Sequence, residues 1–391
     1  MSRRPLPHPV AARLSTATRH LPAPLAAVDL PAFDRNAEHL VGRAHGKPIR
    51  VATKSLRSRA LIERALAKEG FAGLMCYSVR EALWWAREGF TDIMVAYPSV
   101  DLLAVTELVS DPGLRAAVCI MVDSVELVDL IARGVGDVRG LRVAVDVDAS
   151  VRVGPAHVGV RRSPLREPQQ VEAVVRRAQE RGLLVVGLMF YDAQVAGLPD
   201  SSAVVRRLKS RSDAQLRLRR AEITARVRQL VHLDFVNGGG TGSLHVTGRD
   251  PSLTELAAGS GLYAPALFDG YDDLDLEPAA FFACPIVRRP ADDIVTVYSG
   301  GYVASGPPGW SRVPSPLPEH GLHRLRTEGT GEVQTPLRGP GAARLGLGDR
   351  IWFRHAKAGE LAERFTHLAL IEGDEVVGQA ATYRGEGQCF G

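Results

Sequence analysis

The chain has 391 residues, longer than one hydrophobic core usually supports, so one large barrel or two domains are expected. It is 45% hydrophobic, 24% charged and 6% aromatic, which excludes wholesale disorder, a collagen-like repeat and a membrane bundle. A formal charge of +4 is too small at this length to argue for a nucleic-acid partner, and four scattered cysteines without a C-x-x-C pair exclude a disulfide framework or zinc ribbon.

In chain order, the first element is a proline-bearing N-terminal segment (1–27), expected to be partly disordered or to pack on the β domain described below. It lacks the apolar core of a signal peptide, and no stretch is apolar for long enough to span a membrane, so a cytoplasmic chain without membrane contact is expected. From residue 48 onward, β-branched runs alternate with amphipathic helical stretches. Strands are expected at 49–54, 73–78, 92–98, 116–123, 142–148, 183–191 and 233–240. Helices fall between them at 58–70, 79–89, 101–110, 124–134, 168–181 and 202–230, and 253–264 supplies an eighth strand with its loop. Strict alternation demands a parallel sheet covered by helices, and eight units over 28–272 fit an α/β fold closed as a (β/α)8 TIM barrel.

After residue 272 the helical periodicity fades into turn-rich segments with alternating strands such as DIVTVYSG, DRIWFRH and FTHLALIEGDEVVGQAATYRG. These predict a C-terminal, mostly antiparallel β domain over 273–391, with GDE (373–375) as a hairpin turn. The Arg-rich stretch 205–228 is read as a solvated outer barrel helix rather than a nucleic-acid helix.

Functional groups of such barrels sit at the carboxyl ends of the strands. Those positions are Lys54, Tyr77 or Ser78, Tyr97, Asp123, Asp146 and Asp148, Tyr191, and the glycine run 238–240. Lys54 ends the first strand, where an aliphatic residue is usual; a lysine in a dry pocket there has a depressed pKa and forms a Schiff base with an aldehyde. Asn237 is followed by Gly-Gly-Gly-Thr-Gly-Ser, whose glycines let backbone approach an anion while Thr241 and Ser243 offer hydroxyls. A phosphate site at one place and an aldehyde-binding amine at another is the demand of pyridoxal 5'-phosphate.

Several segments together resemble the fold-type III pyridoxal-phosphate enzymes, which share the alanine racemase N-terminal barrel, and among them the D-threonine aldolase and D-serine dehydratase group. The resemblance runs through VDLPAFDRNAEHL (28–40), RVATKS, DIMVAYPSV (92–100), VDVDASVRVG (145–154), GLMFYDAQ (187–194), VNGGGTGS (236–243), TELAAGSGLY (254–263) and the closing TYRGEGQCFG. It implies Lys54 as the Schiff-base residue, with Gly239, Gly240, Thr241, Gly242, Ser260, Gly261 and Tyr263 as phosphate ligands. It further implies Tyr191 at the cofactor and an arginine beside the pyridine ring, taken as Arg152, with His157 and Arg161 as alternatives. D-Threonine aldolase-like enzymes hold a divalent metal with a His-x-Asp or His-x-Cys pair; this chain has His355-Ala356-Lys357 there. If the segment is a strand, His355 and Lys357 face one side, and Lys357 then supplies the positive charge of the missing metal. Glu360 with His355 is the alternative if a metal is kept.

The resemblance therefore implies a lyase acting on a D-3-hydroxy amino acid, by aldol cleavage or by dehydration and deamination, in a homodimer. Competing readings are a racemase using Tyr298 or Tyr302 as its second base, a non-catalytic carrier or homeostasis protein of the same cofactor, and a phosphate-binding barrel enzyme without it.

Overall fold

The computed structural model describes residues 10–153, 156–200 and 202–391. By internal contacts the chain divides into two units, one of residues 40–53, 65–259 and 390–391, the other of 1–39, 54–64 and 260–389.

The first unit is a closed barrel of parallel strands. Its order is Phe235–Gly238, Glu255–Ala258, Ile49–Ala52, Phe71–Cys76, Ile93–Pro98, Val118–Val122, Arg142–Asp146 and Leu184–Phe190, which returns to Phe235–Gly238. Residues such as those of Val118–Val122 are buried at every position, because one face fills the barrel and the other meets helices. Met94, Ala96, Cys119, Met121, Ala144, Met189 and Phe235 pack together as one core cluster. Gly187 is required here: a Cβ at that position would overlap the Phe235 ring. Helix starts follow local chemistry. Ser78 Oγ accepts from the Glu81 amide at the head of Val79–Arg87, and the Glu81 carboxylate accepts from the Tyr77 amide, a reciprocal cap.

The second unit is built on a sheet ordered His323–Arg324, Gln334–Arg338, Ile294–Tyr298, Ala280–Ala291, Leu25–Asp29, His367–Glu372 and Glu375–Ala381, with Arg350–Arg354 also pairing Ala280–Ala291. Leu25–Asp29 lies antiparallel to Ala280–Ala291 and parallel to His367–Glu372. The helix Val10–Ala17 packs Leu14 and Ala17 against Phe281, Leu317 and Trp352. The hairpin turn falls at Gly373, with φ +57°, and Asp374. The division differs from the expected boundaries, because residues 28–39, read with the barrel, cluster with the β sheet, whose pairing partners are far away in sequence.

Among the described residues no helix is long and apolar enough to cross a membrane.

Candidate active site

In the barrel unit, the ends of four neighbouring strands bring Tyr97, Asp123, Asp146 and Tyr191 around a cavity of about 260 Å³. Arg162 also lines it, with its guanidinium 5.1 Å from the Tyr191 ring centroid and 5.7 Å from that of Tyr97. Asp146 is 6% exposed, and burial pushes its carboxyl up to about 7; nearby Asp123 adds to the shift and Arg162 opposes it. Burial also raises the Asp123 carboxyl.

Of the arginines in this stretch Arg162 lines the cavity, whereas Arg152, expected beside the ring, and its alternatives His157 and Arg161 do not. The strands Val151–Val153 and Ala156–Val158 pair antiparallel, with Arg152 opposite His157, and the Arg152 side chain is exposed. His157 Nε2 lies 3.2 Å from the Val160 carbonyl oxygen and so donates to it, while Arg161 is exposed. Gly154, part of the expected motif, lies outside the described residues. The arginine whose guanidinium lies over the Tyr191 ring follows the Gly159-Val160 pair in the sequence.

The glycine run follows the barrel strand Phe235–Gly238. Gly239 adopts φ +79°, a conformation natural to glycine, and a Cβ on Gly240 would come within 2.9 Å of Ala196. Thr241 and Gly242 are buried. Ser243 does not offer its hydroxyl outward: it accepts from the Gly240 amide at 3.1 Å and donates to Asp192 at 3.3 Å. Thr247 Oγ1 donates to the other Asp192 oxygen at 2.8 Å. Arg220, with no exposed side-chain surface, pairs with Asp192 at 3.5 Å and Asp250 at 3.3 Å. The Arg-rich helix Ala203–Arg228 is thus not simply solvated. Arg219 also turns inward, donating to the carbonyl oxygens of Asp148 and Ser150, and its burial lowers its pKa to about 10.

In the other unit, Lys54 lies two residues beyond the barrel strand Ile49–Ala52, in the 3-10 turn Thr53–Ser55. Its side chain is exposed, whereas Ser55 and Leu56 are buried, so the expected dry pocket is not found around this lysine. The strand ends earlier than expected, and the turn buries its neighbours instead. The turn is braced on several sides. Arg57 Nε donates to the Lys54 carbonyl at 3.2 Å, and Gly359, at φ +77°, approaches that carbonyl so closely that a Cβ would overlap it.

Ser260 and Gly261 open the short helix Ser260–Tyr263, which follows the barrel strand Glu255–Ala258. Tyr263, expected as a phosphate ligand, is buried and donates its hydroxyl to the Leu56 carbonyl at 3.1 Å. That bond ties the short helix to the residues just after Lys54.

His355 and Lys357 are not alternate residues of a strand, because Arg350–Arg354 ends before them and both lie in the following bend. His355 is 3% exposed, and its ring meets the edge of Tyr263 at 6.2 Å between centroids. Its Nδ1 lies 3.3 Å from the Ala280 carbonyl oxygen. A carbonyl accepts and never donates, so Nδ1 carries the hydrogen and Nε2 keeps its lone pair. That Nε2 is buried and has no partner among the described residues. Burial, aided by the Arg354 charge, lowers the imidazole pKa to about 3. Lys357 Nζ lies 3.4 Å from both the carbonyl and hydroxyl oxygens of Ser305, and the Ser305 amide donates to Glu360 at 3.0 Å. Tyr302, in the irregular segment after Ile294–Tyr298, packs against Phe282 and Phe365 and accepts from the Ser299 hydroxyl.

The profile of the family described as alanine racemase, N-terminal domain, matches residues 28–266. The chain belongs to that family. Members of this fold-type III family use pyridoxal 5'-phosphate. The chain is 27% identical over 297 residues to D-threonine aldolase from Arthrobacter sp, covering 71% of this chain and 73% of that protein. It is 25% identical over 255 residues to 3-hydroxy-D-aspartate aldolase from Paracoccus denitrificans. That match covers 64% of this chain and 63% of the relative, less than two thirds of the latter's length. The crystal structure of D-threonine aldolase from Filomicrobium marinum superposes with a TM-score of 0.78 at 21% identity, covering 93% of this chain and 96% of that one. This likeness reports the fold.

Sequence reading marked Tyr97, Asp123 and Asp146 as strand-end positions but missed Arg162 and the buried role of Arg220. A signal for Arg220 was present: it falls on the buried face of its helix with Leu216, Ile223 and Val227, where a lone cation needs carboxylates.

Proposed function

We propose that this chain is a pyridoxal-phosphate-dependent lyase acting on D-3-hydroxy amino acids. The observation that carries this reading is one packed group: the Lys54 turn, held through Leu56 by Tyr263, and the lone pair of His355 Nε2 beside that same Tyr263.

The residues present suit the cofactor. Lys54, Tyr191, the 239–242 loop and Ser260 with Gly261 each follow the carboxyl end of a strand of one parallel barrel. Lys54 would hold the aldehyde carbon, and the 239–242 loop with Ser260 and Gly261 would hold the phosphate on backbone N–H groups and the Thr241 hydroxyl. Tyr191 would lie against the ring, with Arg162 as its cationic neighbour. When bound, the cofactor draws electrons from a bond at the substrate's Cα into its conjugated ring.

The chain's own groups then choose the bond. His355 keeps its lone pair at the buried Nε2, and there it would accept the proton of the substrate's 3-hydroxyl. Loss of that proton turns C–O into C=O and releases an aldehyde as Cα–Cβ breaks, leaving glycine once Cα regains a proton. Should Lys54 Nζ instead take the Cα proton, and Lys357 protonate the departing hydroxyl, water leaves and a 2-oxo acid and ammonia follow. The homodimer is kept as part of this reading on resemblance alone.

The test is to record the visible spectrum with added cofactor, and then to assay aldehyde and ammonia with D-threonine, D-allothreonine and D-serine. A lysine-bound cofactor band that Lys54→Ala abolishes, together with aldehyde or ammonia release, is expected. A band without turnover on any of these would leave a cofactor carrier, and no band would remove the cofactor altogether.

A further inference from the structure

The resemblance brings with it a divalent metal held by a His-x-Asp or His-x-Cys pair, and the donors that the fold gathers at the bend after Arg350–Arg354 do not suit one. His355 offers a single lone pair at Nε2. Lys357 stands two residues on, where the second ligand is required, and an ammonium has no lone pair to give and repels a cation. Its Nζ lies against the Ser305 carbonyl and hydroxyl oxygens. Glu360, the remaining oxygen donor nearby in sequence, has one carboxylate oxygen on the Ser305 amide. Among the described residues no group of three His, Cys, Asp or Glu side chains is placed to hold a metal ion. One imidazole nitrogen and the second Glu360 oxygen, beside the Lys357 ammonium, fall short of a divalent site, which needs several deprotonated ligands.

We propose that this bend works without a divalent cation, with the Lys357 ammonium supplying the positive charge and His355 Nε2 taking the substrate's hydroxyl proton directly. The part concerning the substrate rests on the lyase reading above. In the cleavage the O–H bond breaks and an Nε2–H bond forms, the O–H electron pair becomes the carbonyl π bond, and the Cα–Cβ pair remains on Cα until a proton reaches it. The ammonium hydrogen-bonds the oxygen throughout and is neither consumed nor formed.

The experiment is a metal count. The holoprotein is incubated with manganese(II) or zinc(II), desalted and analysed, and its melting temperature is taken with and without chelator. The wild-type chain is expected to hold far less than one ion, and its melting is expected to ignore the chelator. Lys357→Asp, which rebuilds a His-x-Asp pair, is expected to take up about one ion per chain, and His355→Ala in that background is expected to lose it. Lys357→Cys gives the same readout should the aspartate variant fail to fold. About one ion per wild-type chain, lost in His355→Ala, would overturn the proposal. So would a folded Lys357→Asp and a folded Lys357→Cys that both take up none. The count needs no turnover, so a chain that binds cofactor but cleaves nothing would refute the lyase reading, and with it the proton transfer, and leave the metal-free bend standing.

Discussion

Asp146 and Asp123 share a cavity with Arg162, so the energetics there depend on how many protons the two carboxyls hold. The folded Asp146 carboxyl titrates near 7 against an ordinary value of 3.8. Below the ordinary value both folded and unfolded chains hold the proton, and nothing is lost. Between that value and about 7 the folded chain keeps a proton that the unfolded chain has released, so stability falls as pH rises, and the whole penalty is present above it. Asp146→Asn removes the penalty. Its stability relative to wild type is expected to be unchanged near pH ~4 and to rise by about 2–4 kcal/mol by pH ~8. Denaturant melts at both ends of the range check this, and a variant equally or less stable at the alkaline end would show that Arg162 already neutralises the ionised carboxyl. His355 runs the other way: its pKa falls on folding, so stability is lost as pH drops from 6.5 toward about 3. His355→Gln should flatten that acid limb.

At the scale of elements, the Arg-rich helix Ala203–Arg228 shows how a surface pattern conceals a buried function. Replacing Arg220 by Met leaves Asp192 and Asp250 buried without their cation, a loss of about 3–5 kcal/mol. Because Asp192 also accepts from Ser243 and Thr247, the variant is expected to loosen the glycine loop and weaken cofactor affinity, measured by spectral titration. The double variant Asp192→Asn/Arg220→Met should recover part of the stability, and its failure to do so would place the arginine's role in packing. The barrel elements were legible in the sequence for a physical reason: strands buried on both faces read as unbroken apolar runs, and helices open on Ser78, Ser124 and Ser202. Ala280–Ala291 was not legible, because its first half is buried and its second half exposed, so no single period runs through it. The sites divide the same way. Lys54, Tyr191 and the 239–242 loop follow from where barrel strands end, a local property. Arg162, the Tyr263–Leu56 bond and the bend at His355 depend on how loops return, and nothing within a few residues of each specifies that.

At the scale of the molecule, the β unit is discontinuous, and this decides what can fold alone. Leu25–Asp29 is hydrogen-bonded on one edge to Ala280–Ala291 and on the other to His367–Glu372. Residues 25–29 are all buried, and Val10, Ala11, Leu14 and Ala17 fill the core against Phe281, Leu317 and Trp352. The amides of Val10 and Ala11 donate to Glu319, and Trp352 Nε1 donates to Ser15, so this first helix is tied to the sheet by polar contacts as well. A fragment of residues 273–391 therefore lacks a strand from the interior of its own sheet. The hairpin of His367–Glu372 and Glu375–Ala381 would be severed from the rest, and two unpaired edges would face water. Within the whole chain, Leu14→Ala removes a fully buried side chain and is expected to cost about 2–5 kcal/mol. The isolated fragment is expected to give a collapsed amide proton spectrum and no cooperative melt. A dispersed spectrum with a sharp transition would mean that the sheet closes without Leu25–Asp29, by pairing Ala280–Ala291 directly with His367–Glu372. That pairing would be antiparallel, since Leu25–Asp29 runs antiparallel to the first and parallel to the second, so the two strands already run in opposite directions and neither has to reverse.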